Sequence, residues 1–200
     1  EGAQILQLRS LLESGKTRKN SRLKRNLMDA GNTDAWFWYE LGIEALGNND
    51  PSTHYFEQAI SMDNSSAIHY RYLLQSLGNE DTSAVLRYSL EAVKRFPEDS
   101  FLQNRIQGYA EDDQLVDSFQ DFADASPEYG ELQWLTGFLL QAREGYVQSA
   151  RYFRASIDAG NDSPRIYRQL IDNLQQMGES HKAYDILIEA VSRHPTNDDM

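Results

Sequence analysis

Turn-forming clusters recur along this chain at about half of a 34-residue period, and no other feature limits its fold so strongly. They include Gly31-Asn32, Gly47-Asn48-Asn49-Asp50, Asp63-Asn64, Gly78-Asn79, Phe96-Pro97, Ser126-Pro127, Gly160-Asn161, Met177-Gly178 and His194-Pro195. The segments between them run about 11 to 15 residues with apolar positions at helical spacing, which suits helices better than strands. Only 5 prolines occur in 200 residues. Valine and threonine are scarce, and strong helix formers fill the intervals. The expected fold is all-α, with about twelve helices arranged as about six hairpins in one domain. The expected pairs span 1–34, 35–65, 66–97, 98–129, 130–163 and 164–197.

The best-formed pair reads Tyr167-x2-Leu170-Ile171-x2-Leu174, then Gly178, Ala183-x3-Leu187-x2-Ala190, then Pro195. Another opens with Trp38-x2-Leu41-Gly42-x2-Ala45 and continues with Phe56-x2-Ala59. The fifth carries Gly137, Gly145, Phe153 and Ser156 at matching spacings, and the third keeps Ala92 and Pro97. These pairs resemble the tetratricopeptide repeat, whose pattern is Trp-x2-Leu-Gly-x2-Tyr, then Ala-x3-Phe, then Pro. Several pairs are shorter than that repeat. The first matches loosely, and the fourth, around Leu102, Ile106, Tyr109 and Phe119, is the weakest. Glycine inside a helix costs about 1 kcal/mol relative to alanine. Gly42 and Gly137 are therefore expected where a neighbour's backbone comes close. Ala59, Ala92, Ala183 and Ala190 are expected to do the same in the partner helices. Trp38, Phe56, Tyr88, Phe153 and Leu187 would fill the space between hairpins. A single hairpin cannot bury its apolar face, so stacking is required.

The resemblance implies an α-solenoid with a right-handed superhelix, its first helices lining a concave groove that holds a ligand. On the second pair's first helix, Trp36, Tyr39 and Ile43 form a stripe separate from the packing face. Equivalent positions follow at Tyr70 and Leu74, Gln103 and Gln107, Trp134 and Phe138, and Arg168 and Asp172. This set is the expected partner-binding groove, aromatic or aliphatic in pairs two, three and five and polar in pairs four and six. Some members of that family clamp carboxylates with Lys, Asn and Arg. The first two pairs offer Ile5, Arg9, Tyr39 and Ile43 instead, so an apolar segment or a partner helix is the expected guest. The function implied is a non-enzymatic protein–protein interaction scaffold. A narrower alternative is a module of a bacterial cell-envelope assembly or polysaccharide-export machine, and the sequence leaves the compartment open between cytoplasm and periplasm.

Charge and chemistry limit the other classes. Net charge is −12, from 31 acidic and 19 basic side chains, so nucleic acid is not an expected partner. Cysteine is absent, which removes thiol chemistry and Cys-ligated metal. His54, His69, His181 and His194 fall in different pairs without ligand spacing. No catalytic residue, cofactor or metal site is expected. Gly15-Lys16-Thr17 resembles the end of a phosphate loop, but Ser10 occupies the required glycine position and a helix rather than a strand precedes it. Lys16, Arg18, Lys19, Arg22, Lys24 and Arg25 form one basic cluster. Asp113, Asp117, Asp121 and Asp124 share one acidic helical face. No apolar run approaches the roughly 20 residues needed to span a bilayer. The last helix, at about 180–194, carries Tyr184, Leu187, Ile188 and Val191, which a further hairpin would normally cover. The expectation is a fragment of a longer protein, or an end covered by a partner or a second copy.

Overall fold

The computed structural model describes Arg25, Met28 and residues 34–78 and 81–195. Apart from Arg25, Met28 and Asp34, the first expected pair lies outside the described residues. So do Gly15-Lys16-Thr17, Ile5, Arg9 and the basic cluster other than Arg25. Ten α-helices occur among the described residues: α1 (Ala35–Gly47), α2 (Thr53–Met62), α3 (Ala67–Leu77), α4 (Thr82–Arg95), α5 (Ser100–Gln107), α6 (Asp113–Ala125), α7 (Gly130–Ala142), α8 (Tyr146–Asp158), α9 (Pro164–Gln176) and α10 (Ser180–Arg193). A 3₁₀ turn, Gly108–Glu111, links α5 to α6, and no strand is present among the described residues. The all-α expectation holds.

Local chemistry starts and stops these helices. The side chains of Asp34, Asp81, Asp99 and Asp112 accept hydrogen bonds from Trp36, Ala84, Leu102 and Leu115 backbone N–H groups at 2.9–3.0 Å. Each satisfies an otherwise unpaired N–H at a helix start. Pro164 opens α9, where its missing N–H costs nothing. Gly178, at φ +74°, ends the same helix in a left-handed conformation that glycine adopts without strain.

The chain divides into two compact units, Glu1–Leu77 and Gly78–Met200. The boundary falls inside the expected third pair, placing α3 in the first unit and α4 in the second.

In the first unit, α1 buries Phe37, Trp38, Leu41, Gly42 and Ala45, and α2 buries Phe56, Ala59 and Ile60. An added Cβ at Gly42 would fall 2.5 Å from the Phe56 ring. The expectation of a close approach is met, but the neighbour is an aromatic side chain rather than backbone. Trp38 stacks on Tyr55 with ring centroids 6.4 Å apart. The first unit closes with α3, which buries Tyr70, Leu73 and Leu74 and sets Tyr72 on Phe56 at 5.8 Å.

In the second unit, consecutive helices from α6 to α10 pack against one another. The weak fourth pair has a physical form: α5 is only 8 residues long. The 3₁₀ turn after it buries Tyr109 and Ala110, completing the hydrophobic face that the short helix leaves unfinished. No residue of α7 is exposed: 9 of its 13 are buried, including Leu132, Leu135, Leu139 and the polar Gln133 and Thr136, and the rest are half-buried. A helix covered all round is the central element of its domain. Gly137 lies mid-helix on α7, and a Cβ there would meet Phe153 of α8 at 2.8 Å. Full burial of a ring such as Phe153 contributes roughly 3 kcal/mol.

The last helix buries only Ala183 and Ala190. Tyr184, Ile188 and Val191 are 62, 52 and 48 % exposed. The outward apolar face expected at this end is uncovered among the described residues.

Candidate functional site

A polar ladder fixes α8 and α9 against α7. The Ser149 hydroxyl donates to the Gly137 carbonyl at 2.6 Å. Asn173 Nδ2 donates to the Ser149 oxygen at 2.7 Å, and Gln141 Nε2 donates to Asn173 Oδ1 at 2.7 Å. Ser149 and Asn173 are both fully buried. A buried polar group left without a partner costs about 1–3 kcal/mol, so the set holds the three helices in one register.

That register brings α9 over the aromatic stripe of α7. Trp134 and Phe138 stack, with centroids 5.4 Å apart and planes 16° from parallel. Trp134 Nε1 donates to Gln169 Oε1 at 2.7 Å. The Arg165 guanidinium lies 4.6 Å from the Trp134 ring centroid and 6.0 Å from that of Phe138. It also donates to the Pro97 carbonyl, across 68 residues of sequence. A cleft of about 240 Å³ opens beside this arrangement, with Val93, Pro97, Trp134 and Ile166 as its apolar wall. Lys94, Glu98, Glu131 and Arg165 are its charged groups. Burial disfavours the Arg165 cation, the charge of Glu98 partly restores it, and repulsion from Arg168 disfavours it further, so its pKa lies below the usual guanidinium value.

The expected groove residues have different fates. Tyr70 and Leu74 have 0 % exposure. This corrects their assignment as partner contacts, because α3 turns them into the core of its unit rather than onto an open surface. Trp36, Tyr39 and Ile43 are half-buried. Tyr39 packs on Phe56, His69 and Tyr72, with centroids at 6.2, 5.6 and 5.5 Å. Burial, and then the neighbouring Tyr72, push its hydroxyl pKa upward. Tyr39 therefore fills the junction of three helices. In the second unit Trp134 is 6 % exposed and Phe138 is half-buried. Gln103 is tied to the Pro97 carbonyl at 2.7 Å. Gln107 borders a separate shallow hollow with Ala110 and Arg143. Arg168 and Asp172 are exposed on α9.

Arg165 and Gln169 were missed by the sequence reading. They share the α9 stripe of Arg168 and Asp172, at helical spacings of three and four, so periodicity could have supplied them. Nothing local signals that Arg165 reaches Pro97.

The acidic face of α6 is partly neutralised within the unit. Asp113 pairs with Arg143. Asp124 accepts from Arg151 at 2.9 Å and from the Tyr152 hydroxyl at 2.9 Å. Among the described residues no group of three or more His, Asp or Glu side chains is placed to hold a metal ion. Nor is any described helix long and apolar enough to cross a membrane.

No family model matches this chain, and no curated protein matches it. Solved structures do. One is residues 41 to the end of MamA from Desulfovibrio magneticus RS-1, at 10 % identity over 82 % of this chain and 97 % of that one, with a TM-score of 0.45. Another is TTC0263, a thermophilic TPR protein of Thermus thermophilus, at 19 % identity over 82 % of this chain and 94 % of that one, with a TM-score of 0.44. A third is YrrB, a TPR protein described as having an unusual peptide-binding site, at 13 % identity over 87 % of this chain and 93 % of that one, with a TM-score of 0.44. The helical-hairpin architecture rests on the packing described above.

Proposed function

We propose that this chain is a non-catalytic scaffold that holds a segment of another protein, and that the cleft beside α7 and α9 is where the segment sits. The observation that carries this reading is the cleft itself. It combines an apolar wall of Val93, Pro97, Trp134 and Ile166 with charged groups on its border. A few polar anchors around an apolar wall suit a peptide, because the wall supplies affinity and the anchors supply register. The stacked Trp134–Phe138 pair is held rigid by Gln169 and Arg165, and a rigid aromatic surface loses little entropy on binding. The polar ladder behind it keeps the cleft formed before a guest arrives.

Selection from a displayed random peptide library, followed by anisotropy titration of the selected peptides, tests the proposal. Phe138→Ala, at a half-buried position, should weaken binding by about 1–2 kcal/mol while the helical spectrum is retained. Equal affinity of the variant and the parent chain for every selected peptide would defeat this placement of the site. A role in a bacterial cell-envelope or polysaccharide-export machine is a narrower form of the same proposal. Site-specific cross-linking from the cleft to an envelope assembly component would favour it.

A further inference from the structure

Arg165 is paired differently from the neighbouring arginines of its unit. Arg143 meets Asp113, Arg151 meets Asp124 and Arg154 meets Glu189. With 31 acids against 19 bases in the chain, a carboxylate is the expected partner. Arg165 makes no ion pair among the described residues. Its guanidinium lies 4.6 Å from the Trp134 ring centroid and 6.0 Å from that of Phe138, and it donates to the neutral Pro97 carbonyl. Two carboxylates border the same cleft, the exposed Glu98 and the half-buried Glu131. Neither makes an ion pair among the described residues.

Every contact that Arg165 makes here can be made by another guanidinium. A hydrogen bond to a neutral carbonyl and a cation over a ring are each weak beside a charge-assisted pair. The side chain is half-buried, so it can swing out to water, and burial without a counter-charge favours that movement. The seat does not depend on it. Trp134 keeps its hydrogen bond to Gln169, and Gln103 also donates to the Pro97 carbonyl at 2.7 Å. With Arg165 swung away, the charged groups of the cleft are Lys94, Glu98 and Glu131, and acid outweighs base. The chain's net charge of −12 also draws cations from a distance.

We infer that Arg165 stands in for part of the guest: the segment bound in this cleft inserts an arginine, which displaces Arg165 from the Trp134–Phe138 stack and the Pro97 carbonyl. The inference rests on the cleft being the binding site. It adds the chemistry of the guest and the internal contact that restrains its binding. Arginine is specified over lysine because the seat holds a flat guanidinium against ring faces and a carbonyl, which a compact ammonium matches poorly. A cation arriving from solvent also meets Glu98 and Glu131, which Arg165 leaves unpaired, so the exchange favours the guest.

Peptides selected on the parent chain from the same random library should be enriched in arginine at one position. By anisotropy titration, Arg165→Gln should bind a selected peptide about threefold or more tighter, because no internal guanidinium has to be displaced. Glu98→Gln, at an exposed position, should bind it about threefold weaker. Replacing the peptide's arginine by citrulline, which keeps the shape and removes the charge, should weaken binding to the parent chain and abolish the effect of Glu98→Gln. Replacing it by lysine should also weaken binding. With an unchanged melting point, equal or lower affinity of Arg165→Gln would overturn the inference. If that variant melts lower, Glu98→Gln decides alone, and unchanged affinity there would overturn it. Selected peptides that lack arginine yet are weakened by Phe138→Ala would overturn the arginine and leave the cleft as the site. Peptides indifferent to Phe138→Ala would overturn the cleft and this inference with it.

Discussion

Gly137→Ala isolates the contact on which the α7–α8 hairpin depends. In an open helix this change is favourable by about 1 kcal/mol, because alanine loses less backbone entropy. Here the new Cβ would lie 2.8 and 2.9 Å from Phe153 Cδ1 and Cε1, and 3.2 Å from the Ser149 carbonyl oxygen. Phe153 has 0 % exposure, so its ring has nowhere to swing. The two helices must separate, and overpacking of this kind costs about 1–3 kcal/mol. Separation also stretches the 2.6 Å bond from the Ser149 hydroxyl to the Gly137 carbonyl, a further loss of about 1 kcal/mol. The net expectation is destabilisation by about 1–3 kcal/mol, or a melting point lower by about 2–10 °C for a domain of this size. Gly108→Ala is the control in the same unit. Its Cβ would meet nothing within 4 Å and its φ of −60° suits any residue, so stability should rise by about 0.4–1 kcal/mol. Thermal and urea unfolding followed by circular dichroism measure both. Adding Phe153→Leu should cost less in the Gly137→Ala background than in the parent chain, because the smaller side chain makes room. If Gly137→Ala stabilised the chain as much as Gly108→Ala, the close-contact reasoning would be refuted.

Asn173→Ala should lower stability by about 1–3 kcal/mol by removing partners from the buried Ser149 hydroxyl and from Gln141, as read by urea midpoint; an unchanged midpoint would mean that the ladder is not a structural tie. Tyr39→Ala should destabilise the first unit by about 1–3 kcal/mol, since the ring packs on three others, and hydrogen exchange of α1 to α3 would report it; protection equal to that of the parent chain would return Tyr39 to the surface. Burial opposes ionisation of Asp162, but hydrogen bonds from His194 and Tyr167 and the charges of His194 and Arg193 prevail, holding its carboxyl below the usual carboxylate range. A depressed folded-state pKa stabilises the fold above the ordinary carboxylate value, and the effect is lost as pH falls through the folded value. The stability difference between the parent chain and Asp162→Asn should therefore be largest near neutral pH and shrink below about pH 4; a difference that grew in acid would contradict the assigned interactions.

Much of the architecture was legible because its causes are local. Turn clusters and proline positions act within a few residues, and the apolar period reports a helix before any neighbour is known. The positions needing small residues were also readable, since a glycine kept mid-helix at Gly42 and Gly137 implies a close neighbour. The candidate site was less legible. The stripe through Trp36, Tyr39 and Ile43 was read as separate from the packing face of α1, yet Tyr39 packs on Phe56, His69 and Tyr72, because periodicity cannot tell an open face from one covered by the next helix. Tyr70 and Leu74 occupy equivalent positions and are fully enclosed.

The sequence by itself determined that the chain forms serial helical hairpins, where most of them begin and end, and which side of each helix is apolar. Only the tertiary structure decided that the close neighbour of Gly42 is a ring, that Asn173 reaches Ser149, and that Arg165 crosses to Pro97 over the Trp134–Phe138 stack. The physical reason is range. Helix formation is settled by bonds and side chains a few residues apart, whereas burial, desolvation of a charge and the shape of a cleft depend on groups that meet only when separate hairpins pack.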